Sequence, residues 1–168
     1  MTRHTLLAAA VAATLMLAGC RAPAGDEAAE AAAPAALTAP TTDDDGAWKA
    51  YLGQVIGQNM DGITERTFNY YLPAATDPAE VDGPYSRMLG DVQAAVQRGV
   101  LPGNMLSFSS PNSTMMADLI VAAFAAEGVQ DTALKGSRVL FIGEAKDESR
   151  VAQAVTATGA EFRFVEKK

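Results

Sequence analysis

Four short apolar runs punctuate residues 47–168: Thr67 to Leu72 (TFNYYL), Met105 to Phe108, Arg138 to Ile142 (RVLFI) and Phe162 to Val165. A stretch with helical character separates each run from the next, and this alternation is the strongest constraint on the fold. Strands divided by helices of roughly 10 to 20 residues join through right-handed crossovers, which makes the sheet mostly parallel and covers it with helices. RVLFI is continuously apolar, as a strand buried on both faces is. Phe162-Arg163-Phe164-Val165 alternates, as a half-exposed edge strand does. TFNYYL is aromatic and β-rich and stops at Pro73. Its pairing direction stays open, with antiparallel as the alternative.

The helices follow from apolar spacing and from their stop signals. Trp48, Tyr51, Leu52, Val55 and Ile56 recur at i, i+3, i+4, i+7 and i+8, predicting a first helix with Asp45 as N-cap. Trp48 sits in register with that stripe, so it belongs to a core rather than to a ligand platform. A second helix opens at Asp82-Gly83-Pro84, carries Tyr85, Met88, Leu89, Val92 and Val96, and closes at Gly99. Thr114 to Glu127 is apolar on nearly every side, so this third helix needs covering on more than one face. A fourth runs from about Asp147 to Thr158. The fold class expected is α/β, a small three-layer sandwich with a mostly parallel sheet of about four strands and flanking helices.

The N-terminal part has a different composition. Leu6 to Leu17 is almost wholly Leu, Ala, Val and Met behind Arg3, and it ends in Leu17-Ala18-Gly19-Cys20, which contains the only cysteine of the chain. The run falls short of the roughly 20 apolar residues of a permanent span. It resembles a secretory signal peptide, and its exit resembles the bacterial lipobox. The resemblance implies cleavage before Cys20 and acylation of that cysteine, because two or three chains hold a protein on a membrane where one does not. Arg21 rather than Asp follows the cysteine, which by the same resemblance favours the outer membrane and a periplasm-facing domain, with surface display as the alternative.

Residues 21–46 are rich in Ala, Pro, Thr and acids and contain no aromatic or β-branched aliphatic residue. Such a stretch buries too little apolar surface to offset its ordering entropy and reads as a tether, with a short Ala-rich helix around Asp26 to Ala33 as the alternative. The division expected is therefore a signal segment at 1–19, a lipidated cysteine with its tether at 20–46, and one domain at 47–168. Six acids lie in the tether. The domain carries 11 basic residues against 14 acids, a net of −3, and no basic patch of the kind that neutralises nucleic-acid phosphates.

His4 is the only histidine and would leave with the signal segment, while Cys20 would be acylated. The domain then has no imidazole or thiol, which excludes Ser-His-Asp and Cys-His catalysis, zinc sites built on those residues, and disulfides. No metal or cofactor is implied. At the C-terminal rim of a parallel sheet, where loops feed helix N-termini, two loops stand out. Ser109, Ser110, Asn112 and Ser113 precede the third helix and could hold an anion, although ordinary capping needs the same residues and glycines are lacking.

Glu144 and Asp147 follow RVLFI. The stretch RVLFIGEAKDESRV resembles the strand-turn-helix of nucleotide-binding domains, but it has only Gly143 of the glycine pattern. Its plain alternative is a solvated turn with Asp147 as N-cap and Glu148 favoured by the helix dipole. Asp118 is a charge in an apolar helix; such a charge points out at the rim or caps a neighbour, with a buried polar contact as the lead it offers. Two functions remain open: a non-enzymatic module that binds a periplasmic protein, as an envelope assembly factor or a toxin inhibitor, or a small-molecule site at the rim.

Overall fold

The structure, a computed structural model, describes residues 37–168. The signal segment, Cys20, the first part of the tether and its alternative Ala-rich helix lie outside the described residues. Four helices and four strands alternate: α1 Asp45–Gln58, β1 Thr67–Tyr71, α2 Pro84–Arg98, β2 Met105–Ser109, α3 Ser113–Phe124, β3 Arg138–Gly143, α4 Ala145–Thr156 and β4 Glu161–Glu166. The sheet is wholly parallel in the order β1-β2-β3-β4, with Thr67 opposite Met105, Met105 opposite Arg138, and Arg138 opposite Glu161. The open direction of β1 is thus parallel, and the expected α/β sandwich is the fold observed.

Sequential strand order decides where the helices go. Each crossover steps the same way across the sheet, so right-handed connections place α2, α3 and α4 on one face. Packing agrees: Val92 and Val96 of α2, Met116, Leu119 and Ile120 of α3, and Val151 and Val155 of α4 share one core with Leu106, Phe108, Val139 and Phe141. Every one of these side chains is buried, worth roughly 1.5–3 kcal/mol each for the larger ones. The apolar girth of α3 is explained by neighbours on both flanks, α2 and α4. The opposite face takes α1, whose Trp48, Tyr51, Leu52 and Val55 cover Met105, Leu140 and Ile142.

Three boundaries differ from expectation for local reasons. Asp44, not Asp45, caps α1, accepting from the amide of Ala47 at 2.6 Å. Leu37 and Ala39 pack beside the Trp48 cluster, and the Trp48 indole donates to the Thr42 carbonyl at 2.8 Å. Residues 37–46, assigned to the tether by composition, are therefore part of the domain. α4 starts at Ala145 because Glu144, with extended backbone, takes the N-cap position that Asp147 was expected to hold. Among the described residues, no helix is long and apolar enough to cross a membrane.

Candidate functional site

The two rim loops do meet. Asn112 caps α3, its side chain accepting from the Met115 amide at 3.1 Å, and the Ser110 hydroxyl accepts from the Asn112 amide at 3.0 Å. Ser113, the first residue of α3, points across to α4: its Oγ donates to Asp147 Oδ2 at 2.7 Å and accepts from the Glu144 amide at 2.8 Å. Asp147 is only 3% exposed. Its Oδ1 accepts from Arg150 Nε at 3.1 Å and Nη2 at 2.8 Å, and Arg150 also binds the Thr114 carbonyl at 3.1 Å and the Asp118 carboxylate. Asp118 is thus an exposed rim partner for an arginine, not a buried polar group.

Gly143 makes this approach possible. A Cβ there would stand 2.7 Å from Ser113 Oγ and would collide with the Phe141 ring. The Glu144 carboxylate turns away from Asp147, to Lys146 at 2.6 Å and Lys167 at 3.2 Å. Ser109 shares the face of Met105 along β2, so its side chain lies on the α1 side of the sheet, opposite that of α3 and α4. Of the six candidates, the side chains of Ser113 and Asp147 converge and Glu144 joins them only through its backbone amide, Ser110 and Asn112 serve their own turn and cap, and Ser109 faces the other side of the sheet.

Electrostatics keep the carboxylates of this group ionised. Burial alone would raise the Asp147 carboxyl, but the Ser113 and Arg150 hydrogen bonds outweigh it and hold the group below its ordinary range. The Lys146 contact likewise holds Glu144 low. Acid-base work near neutrality needs a group poised near that pH, and these are committed carboxylates. The Ser113 hydroxyl already uses both its hydrogen and a lone pair, and it is buried. No topological switch point exists in a sheet ordered 1-2-3-4, so the crevice that receives ligands in doubly wound sheets is missing. Among the described residues no group of His, Cys, Asp and Glu is placed to hold a metal ion.

The opposite rim holds a residue that sequence reading missed. Arg138, 6% exposed, grips Glu161 through Nε at 3.0 Å and Nη2 at 3.1 Å, and its Nη1 donates to the carbonyls of Asn59 and Asp61 at 2.9 and 2.7 Å. It ties the end of α1 to β3 and β4.

Open space lies along the β1 edge. A groove of about 670 Å³ runs between Phe68 and Tyr70 of β1, the C-terminal half of α2 and the turn carrying Leu101. Phe68 is 43% and Leu101 76% exposed, two of the three large apolar side chains exposed among the described residues. β1 is also an unguarded edge. Met105 donates to the Arg66 carbonyl at 2.9 Å and Leu72 to the Ser109 carbonyl at 3.2 Å. The parallel ladder therefore takes the even residues inward, leaving the amides and carbonyls of Thr67, Asn69 and Tyr71 directed outward.

Edges are usually blunted by charge. β4 carries Glu161, Arg163 and Glu166, whereas β1 carries none. The one signal in the sequence was a five-residue aromatic run without a charge.

No family model, curated protein or solved structure matches this chain.

Proposed function

We propose that the chain is a lipid-anchored envelope protein whose α/β domain is a non-enzymatic protein-interaction module, with the groove beside β1 as its recognition face. The observation that carries this reading is the contrast between the two surfaces. At the rim, the hydroxyls of Ser110 and Ser113, the Asn112 side-chain oxygen and the Asp147 carboxylate are already bound within the chain. Along β1, apolar side chains and backbone groups face outward unprotected. Exposed apolar surface rimmed by polar groups marks interaction sites, and an edge strand adds main-chain hydrogen bonds to side-chain recognition. The anchor is supported by the lipobox-like Leu17-Ala18-Gly19-Cys20, and a periplasm-facing position on the outer membrane by Arg21. An assembly factor for an envelope complex and an inhibitor of an incoming toxin both suit such a module.

Affinity capture from mildly solubilised envelopes tests the face. The native chain is expected to retain a protein in stoichiometric amount, and Phe68→Asp with Leu101→Asp to lose it while unfolding in urea as the native chain does. Capture that survives both substitutions places recognition elsewhere. Mass spectrometry of the chain from its own envelope tests the anchor, and an unmodified thiol at Cys20 would refute it.

A further inference from the structure

The β1 edge is self-complementary, and we propose that its occupant is a second copy of this chain, paired antiparallel through β1 about a two-fold axis at Asn69. This rests on the reading of the groove as a recognition face and names the partner. The backbone decides the register. With the axis at Asn69, Thr67 meets Tyr71 of the second copy and Asn69 meets Asn69. These are the outward-facing residues, so each exchanges N–H and C=O with its counterpart as a hydrogen-bonded pair. Phe68 then lies beside Tyr70 of the second copy, an aromatic pair across the strands that covers the exposed aromatic side chain of β1. A closed two-fold contact uses the same patch twice, as such dimers require.

The helix wall of the groove suits the same axis. α2 presents Asp91, Ala94, Ala95 and Arg98 to it. The axis is perpendicular to the sheet, so both α2 helices stay on one side and run antiparallel across the junction. Asp91 then faces Arg98 of the second copy, while the alanines meet in the middle and let the helices approach. Two acids, Glu65 and Asp91, and two arginines, Arg66 and Arg98, line the groove, so a copy meets no excess of its own charge. The other edge is closed to this pairing by the charges of β4.

Sedimentation equilibrium of the full chain in density-matched detergent tests the proposal. Twice the chain mass is expected. Arg98→Asp sets two acids against each other at each end and is expected to raise the dissociation constant at least about tenfold. The swap Asp91→Arg with Arg98→Asp is expected to restore it, which a merely structural role of either residue would not do. Asn69→Asp keeps an acceptor for the Ser107 hydroxyl but sets two carboxylates on the axis. It is expected to weaken the dimer at pH 7 and to release that penalty near pH 4.

A short bis-maleimide should join copies carrying Asn69→Cys but not Glu166→Cys, whose positions lie at the far edges, about 34 Å apart across eight strands. The unsubstituted chain reports any reaction through Cys20. A monomer at every concentration overturns the proposal, as does a dimer that Arg98→Asp does not weaken, one that the charge swap fails to restore, or one that does not crosslink at Asn69. Should a monomer still capture an envelope protein through Phe68 and Leu101, the second copy is refuted and the recognition face stands. Neither dimer nor capture removes both.

Discussion

Ser113 and Asp147 are 34 positions apart in sequence, and their side chains meet at 2.7 Å, joining the N-termini of α3 and α4 through one hydroxyl that also accepts the Glu144 amide. That hydroxyl satisfies two buried groups at once. Thr114 Oγ1 also donates to the same carboxylate oxygen, but at 3.4 Å its bond is long and weak beside that of Ser113.

Ser113→Ala is therefore expected to destabilise the domain by about 2 kcal/mol, the cost of leaving the Glu144 amide without its side-chain acceptor and the buried Asp147 oxygen with only the long Thr114 bond. Ser110→Ala, which removes a single turn bond, should cost about half as much. Urea unfolding with an unchanged slope would measure both, and equal losses would mean the stitch contributes nothing beyond local turn geometry.

Acid sensitivity follows from the same carboxylate. Asp147 is held below its ordinary value of 3.8 because Ser113 and Arg150 outweigh its burial. The unfolded chain then binds the proton more readily. The stabilisation is fully present above 3.8 and is lost as pH falls from there through the lower folded value. Glu144 is depressed too, through Lys146 and Lys167, but it is more exposed and its share is screened by salt. In about 1 M salt, where screening acts within about 3 Å, the Asp147 part of the acid limb should persist. Asp147→Asn should flatten it, and urea midpoints between pH 2 and 6 would reveal a limb that does not change.

Arg138→Lys should not behave as a conservative change. The guanidinium binds Glu161 with two nitrogens and two backbone carbonyls with a third, and an ammonium cannot reproduce that fork. A loss of about 1–3 kcal/mol is expected from the unsatisfied carbonyls and carboxylate. Arg138→Met should recover part of it if burying the charge is itself costly. Thermal unfolding of the two variants side by side would separate these contributions.

What the sequence disclosed is what depends on neighbours along the chain. RVLFI, TFNYYL and the α2 stripe mark their elements because periodicity and stop signals are local, and the parallel sheet follows from their alternation. Arg138 was hidden because a charge at the head of an apolar run reads as a strand end, whereas its partner Glu161 lies 23 positions on. Asp147 reads as a cap in the sequence because acids abound in first turns; only the packing of α3 against α4 turns it inward. The groove belongs to β1, α2 and the turn at Leu101 together, and a pattern read one element at a time holds no trace of it.

Gly143→Ala should destabilise by about 1–3 kcal/mol, through overpacking rather than backbone strain. The new methyl would press on Ser113 Oγ and on the Phe141 ring, and Phe141 is fully buried with no free volume to retreat into. Phe141→Leu added to Gly143→Ala should return part of the loss. If the double variant is no better than the sum of the single ones, the collision with the ring is not the cause.

Tyr51 offers the opposite expectation. Its hydroxyl is buried and, among the described residues, has no hydrogen-bond partner, while its ring packs edge-on to Trp48 at 5.9 Å. Burial also pushes its ionisation up, consistent with an oxygen that no donor or cation stabilises. The ring earns the position and the oxygen opposes it, because a buried hydroxyl without a partner costs about 1–3 kcal/mol relative to water. Tyr51→Phe keeps the aromatic contact and removes the unsatisfied atom, so the variant should be at least as stable as the native chain, by up to about 1 kcal/mol after the small void is counted. A clear loss in the urea midpoint would mean that the hydroxyl has a partner in solution, and the α1 face of the sheet would then be the next place to look for a ligand.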